Sequence, residues 1–112
     1  METLRYKGFI GSIEAELEDD TLYGKVLGLD KGVLITYEGQ TLSELKKDFI
    51  NAVDDYIEHC KANGIEFHKS YSGSFNVRIP VELHAKAAAM AQAEGISLNA
   101  FVKESLLRAV ML

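Results

Sequence analysis

Ser74-Phe75-Asn76-Val77-Arg78-Ile79-Pro80 is the stretch on which the reading of this 112-residue chain turns. Phe75, Val77 and Ile79 alternate with Ser74, Asn76 and Arg78, the period-two pattern of a strand with one dry and one polar face. The polar face carries no acid, and Asn and Arg are the side chains best shaped to pair bidentately with base edges. Pro80, the only proline, ends the strand where it can open a helix. One such strand cannot fold alone, so the pattern asks for a partner.

Downstream, the alanine-rich run from Val81 to Ala93 predicts a helix closed by Glu94-Gly95. Ser97 then caps a last helix that carries Leu98, Phe101, Val102, Ser105, Leu106, Ala109 and Val110 on one side. A strand and two helices in about 40 residues rarely bury enough apolar surface unaided. Two copies solve the problem if their strands pair antiparallel across a two-fold axis over four shared helices. Phe75, Val77, Ile79, Phe101, Val102 and Leu106 are then the expected dimer core. Ser74, Asn76 and Arg78 face outward as candidate DNA base contacts. The first amides of the last helix, at Ser97, Leu98 and Asn99, are candidate phosphate contacts.

Upstream, three strands are expected in an antiparallel meander. The first runs through Gly11–Glu18, starting as early as Tyr6, with Ile13, Ala15 and Leu17 on its dry face. The second runs from Leu22 to Leu29 and the third from Val33 to Glu38, with turns at Asp19-Asp20-Thr21 and Asp30-Lys31-Gly32. Thr41-Leu42-Ser43-Glu44 is a capping box. The helix behind it carries Leu42, Leu45, Phe49, Ala52, Val53, Tyr56 and Cys60 as one apolar stripe, and Asn63-Gly64 stops it. Ile65–His68 is expected to add a fourth strand. The expected fold is therefore α+β: a β-β-β-α-β unit over residues 1–68, a hinge over 69–73, and a strand–helix–helix unit over 74–112.

Charge divides the same way. Residues 1–70 carry 8 Lys or Arg against 14 Asp or Glu, a net of −6, and residues 71–112 carry 4 against 3, a net of +1. The acidic part repels polyanions and suits a basic protein. Glu14, Glu16, Glu18, Asp19, Asp20, Asp54, Asp55 and Glu58 are its candidate partner-binding residues, with plain solvation of an acidic face the competing reading. Cys60 is the only cysteine, which rules out an intrachain disulfide and reads as a small core residue. His59, His68 and His84 have no carboxylate or cysteine at ligand spacing, so no metal or other cofactor is expected. Without a phosphate loop or a nucleophile–base pair, no enzyme is expected either. The charges of the first 18 residues do not suit a leader, and no run is long and apolar enough to cross a membrane, so a cytoplasmic location is expected.

Residues 74–112 resemble the ribbon-helix-helix repressor fold of the Arc/MetJ type, in strand, proline, helix spacing and Gly95-Ile96-Ser97-Leu98-Asn99. The resemblance implies base reading by Ser74, Asn76 and Arg78 and phosphate clamping by Ser97, Leu98 and Asn99. Ser74 is short for that task. Three earlier stretches, together with the join through Tyr71-Ser72-Gly73-Ser74-Phe75, look like HicB-family antitoxins: Tyr6-Lys7-Gly8-Phe9-Ile10-Gly11-Ser12-Ile13, Gly24-Lys25-Val26 and Ala52-Val53-Asp54-Asp55-Tyr56. That resemblance implies a degenerate double-stranded-RNA-binding-like first domain that blocks a small mRNA-cleaving toxin, HicA. It also implies a second domain that represses the shared operon as a homodimer or a higher oligomer. Two alternatives stay open: a stand-alone ribbon-helix-helix regulator whose first domain senses a ligand, and a toxin-binding module without DNA binding.

Overall fold

The computed structural model describes residues 2–67 and 70–111. His68, at the end of the expected fourth strand, and Lys69, in the expected hinge, lie outside the described residues, as do Met1 and Leu112. The chain is α+β, a five-stranded antiparallel sheet followed by three helices. It divides into two compact units, Met1–Ser74 and Phe75–Leu112.

In the first unit the strands are β1 (Leu4–Tyr6), β2 (Phe9–Gly11), β3 (Glu14–Glu16), β4 (Thr21–Leu27) and β5 (Thr36–Gly39). The expected first strand is thus three pieces. Lys7 and Gly8 both take positive φ, 49° and 82°, the two-residue turn whose twist matches a hairpin. That turn folds β1 back on β2, pairing Leu4 with Gly11 and Tyr6 with Phe9. β2 and β3 then run along one edge of β4 in a single register, since Gly11 opposes Val26 and Glu14 opposes Tyr23. β5 lies along the other edge of β4.

The ladder breaks between β2 and β3 because a side chain takes over one bond. The Ser12 amide donates to the Lys25 carbonyl at 3.0 Å, but the Lys25 amide donates to Ser12 Oγ at 3.0 Å. The freed Ser12 carbonyl accepts from the Tyr37 hydroxyl at 2.7 Å. Tyr37 reaches it by lying across two glycines. A Cβ on Gly24 would run into the Ser12 carbonyl and the Tyr37 ring, and one on Gly11 into the Tyr37 hydroxyl and Phe49.

Helix α1 (Leu42–Asn63) covers one face of the sheet. Thr41 Oγ1 accepts from the Glu44 amide at 3.1 Å. Glu44 reaches back one residue beyond the standard capping box, to the Gln40 amide at 2.8 Å. Gly64, at φ 63°, closes the helix, and the Ile65 amide donates to the Cys60 carbonyl at 2.9 Å. Leu45, Phe49 and Val53, at four-residue steps, are fully buried against Leu4, Val26 and Tyr37. That cluster is the core of the unit.

Two expectations need correcting. Ala15 and Leu17 do not face a dry interior: β3 is exposed throughout, and Leu17 is 89% exposed. The helix packs on β5, β1 and β4 and leaves the β3 end uncovered. The segment Ile65–Phe67 forms no strand. Phe67 instead sets its ring edge-on to Phe9, with centroids 6.1 Å apart, and tilted against Tyr56 at 5.8 Å. The order is therefore five strands and a helix rather than β-β-β-α-β.

Past α1 the chain is fastened to the β4–β5 connection. Buried Asp30 accepts from the Ser70 amide at 2.8 Å. Ser70 Oγ accepts from the Lys31 amide at 3.1 Å, and the Tyr71 hydroxyl donates to the Gly28 carbonyl at 3.2 Å. Ser70 and Tyr71, expected in the hinge, thus belong to the first unit.

The second unit holds helices α2 (Val81–Glu94) and α3 (Leu98–Val110), packed on one another. Gly95, at φ 72°, ends α2, with the Ile96 amide on the Ala91 carbonyl and the Gly95 amide on the Gln92 carbonyl. Those are the two bonds of a Schellman stop. Ser97 Oγ caps α3 by accepting from the Ala100 amide at 3.0 Å.

Candidate nucleic-acid and partner interfaces

In the second unit, residues 75–80 belong to no hydrogen-bonded ladder within the chain. Phe75 is 72% exposed, Val77 66% and Ile79 40%. Of the remaining expected core positions, Val102 and Leu106 are also exposed and Phe101 is half-buried. Ala91 alone is a buried apolar residue among the described residues of this unit. The unit therefore has an apolar stretch and two helix faces but no closed interior of its own.

Asn76 and Arg78 line an open hollow of about 660 Å³ together with Val77, Ile79 and His84. Sequence reading did not single out His84 for this place, although its position four residues after Pro80 sets it on the first turn of α2. Arg78 makes no ion pair with any described residue. Ser74 is placed differently. It closes the first unit, where its amide donates to Ser72 Oγ at 3.2 Å and its carbonyl accepts from the Ser72 hydroxyl at 3.0 Å.

At the start of α3, Ser97 Oγ is already engaged with the Ala100 amide. The amides of Leu98 and Asn99 belong to the first turn, where no intrahelical acceptor exists. Those two are the groups left to hold an anion, with the positive end of the helix behind them.

The acidic candidates of the first unit fall into two groups. Glu14 and Glu16 lie on β3, and Glu18, Asp19 and Asp20 form its turn to β4; all five are exposed. Asp55 and Glu58 are exposed on α1. Asp54 is not a free surface acid. Its Oδ2 accepts from the Tyr6 hydroxyl at 3.1 Å and its Oδ1 binds Lys7 Nζ at 3.0 Å. The Lys7 hydrogen bond holds the Asp54 carboxyl below its ordinary value, and Asp54 raises Lys7 in return. This pair ties the β1–β2 turn to α1, and the Lys7-Gly8 hairpin that creates it was not visible in the alternation pattern.

Residues 56–106 match the HicB family model. The match covers less than half of the chain, and over that stretch the chain is similar to HicB-family proteins. It runs from the last turns of α1 through α2 and into α3, and includes none of the sheet. No curated protein and no solved structure matches the chain. No helix among the described residues is long and apolar enough to cross a membrane.

Proposed function

We propose that this chain is the antitoxin of a toxin–antitoxin pair and the repressor of its own operon. Its Met1–Ser74 unit binds and occludes a small, basic, HicA-like mRNA-cleaving toxin. Its Phe75–Leu112 unit pairs with a second copy as a ribbon-helix-helix and presents Asn76 and Arg78 to operator DNA, with the Leu98 and Asn99 amides on flanking phosphates. The protein acts by binding and not by catalysis.

The observation that carries the reading is the open state of the second unit. An alternating apolar segment with no ladder, followed by two capped helices that bury one alanine, is half of a core. Fully covering Phe75, Val77 and Ile79 stabilises by about 1.5–3 kcal/mol for each side chain. A second copy supplies both the missing strand and the missing helices, and a paired ribbon fits the major groove. The HicB match over the same region supports the antitoxin class. The net of −6 over residues 1–70 disfavours a polyphosphate ligand for the sheet unit and favours a basic protein.

The test is co-expression of the full chain with the product of the adjacent gene, which this reading expects to be a small basic protein. Restored growth and a complex that survives purification are expected, together with a gel shift on the shared promoter. Continued growth arrest with no complex would refute the antitoxin reading, and an unshifted promoter would refute the repressor half.

A further inference from the structure

We infer that the open edge of β3 is where the first unit accepts a strand from its partner, and that the strand it accepts is basic. This rests on the antitoxin reading for the partner's identity, but the edge itself follows from hydrogen-bond parity. The Ser12 amide bonds the Lys25 carbonyl, and the register from Gly11 to Glu16 against β4 is continuous. Antiparallel ladders alternate bonded and non-bonded pairs. Glu14 and Glu16 therefore spend their amides and carbonyls on β4, while those of Ala15 point away from the sheet. β1 covers only Phe9–Gly11 on that side. Among the described residues nothing pairs with β3 on its outer edge.

The opposite edge of the sheet is partly covered. The bond from the Val26 amide to the Ile35 carbonyl fixes the parity of β5, so the Glu38 amide points outward there. It meets Asp48 Oδ2 of α1 at 2.9 Å. One edge is thus capped by a helix side chain and the other is left available, the arrangement used when a peptide adds a strand.

Charge selects the occupant. Glu14, Glu16, Glu18, Asp19 and Asp20 crowd this edge and its turn with no base among residues 13–20. A second copy pairing here would set acid against acid, which cross-strand neighbours disfavour. A strand with Lys or Arg alternating with apolar residues places its bases against Glu14 and Glu16. Its apolar side then covers Ala15 and Leu17, the exposed positions on the helix side of the sheet.

The experiment titrates the isotope-labelled full chain with a synthetic peptide of alternating Lys and Val, and with its Glu–Val counterpart. The Lys peptide is expected to slow exchange of the Ala15 amide about tenfold, and the Glu peptide to leave it unchanged. Ala15→Pro removes only an outward amide, which an edge strand tolerates. It should weaken Lys-peptide binding about tenfold, the scale of one or two lost bonds. The double variant Glu14→Lys with Glu16→Lys should do the same and checks the result if the proline perturbs folding. Equal binding of both peptides, or undiminished binding by both variants, overturns the inference. The product of the adjacent gene, the toxin expected on the proposed reading, supplies a separate arm. If it binds wild type and Ala15→Pro alike, the edge inference falls and the antitoxin reading stands. If it binds neither while the Lys peptide behaves as expected, the antitoxin reading falls and the edge stands.

Discussion

Tyr37 is the residue on which the sheet closes. Burial raises its hydroxyl above the ordinary tyrosine value, and that hydroxyl satisfies a carbonyl which the Ser12 side chain has displaced from the ladder. Tyr37→Phe keeps the ring against Phe49, with centroids 5.0 Å apart, and leaves the Ser12 carbonyl unpaired. A loss of about 1–3 kcal/mol is expected, the cost of a buried unsatisfied polar group, measured by urea unfolding. Asp54 gives the second expectation at this scale. Because its carboxyl is held below the ordinary value of 3.8, the pair with Lys7 contributes stability above that pH and loses it as pH falls toward the folded value. Both partners are substantially exposed, so the effect is small. Thermal melts of wild type and Asp54→Asn should differ at pH 6, and the difference should shrink as pH falls below 3.8. A difference that persists unchanged into acid would show that the carboxylate charge is not what matters.

At the scale of elements, the helices were legible and the sheet less so. Each helix announces itself through chemistry that acts locally: Thr41 and Ser97 bond the amides three residues on, and Gly64 and Gly95 take the left-handed conformation a helix stop requires. The sheet depends on contacts that no local pattern records. Lys7-Gly8 makes a two-residue hairpin without the Asn or Asp that usually signals one. Ile13, Ala15 and Leu17 alternate correctly, yet whether a face is dry depends on where α1 ends its cover. Ile65–Phe67 has strand-like residues, but its aromatic ring packs on Phe9 and Tyr56, contacts distant in sequence that no local pattern records. The Phe75–Ile79 segment shows the same limit from the other side: it alternates like a strand, yet it pairs with no strand among the described residues, and the proposed partner is a second copy. Phe75 is largely exposed in one chain, so Phe75→Asp costs a lone chain little. In a shared core the same substitution buries a charge. Light scattering should therefore report monomers for Phe75→Asp and dimers for wild type; a normal dimer of the variant would place Phe75 outside the interface.

For the whole molecule, the two units differ in charge and in completeness. The first has a closed core and a net charge of −6 over residues 1–70; the second is near neutral and unfinished. Separate binding duties predict separable variants. Arg78 is exposed, makes no ion pair with described residues, and lies in the unit that carries no closed core. On the proposed reading, Arg78→Ala removes a bidentate base contact, worth about 1–3 kcal/mol, so operator affinity should fall about tenfold to a hundredfold at fixed salt. The substitution leaves Phe75, Val77 and Ile79 in place and does not touch the sheet, so the dimer and rescue from the toxin should both persist. Gel shifts at two salt concentrations, light scattering and a growth assay on the same variant measure all three. Loss of rescue alongside loss of DNA binding would mean that the second unit also contributes to holding the toxin. Undiminished operator affinity would remove Arg78 from the DNA interface.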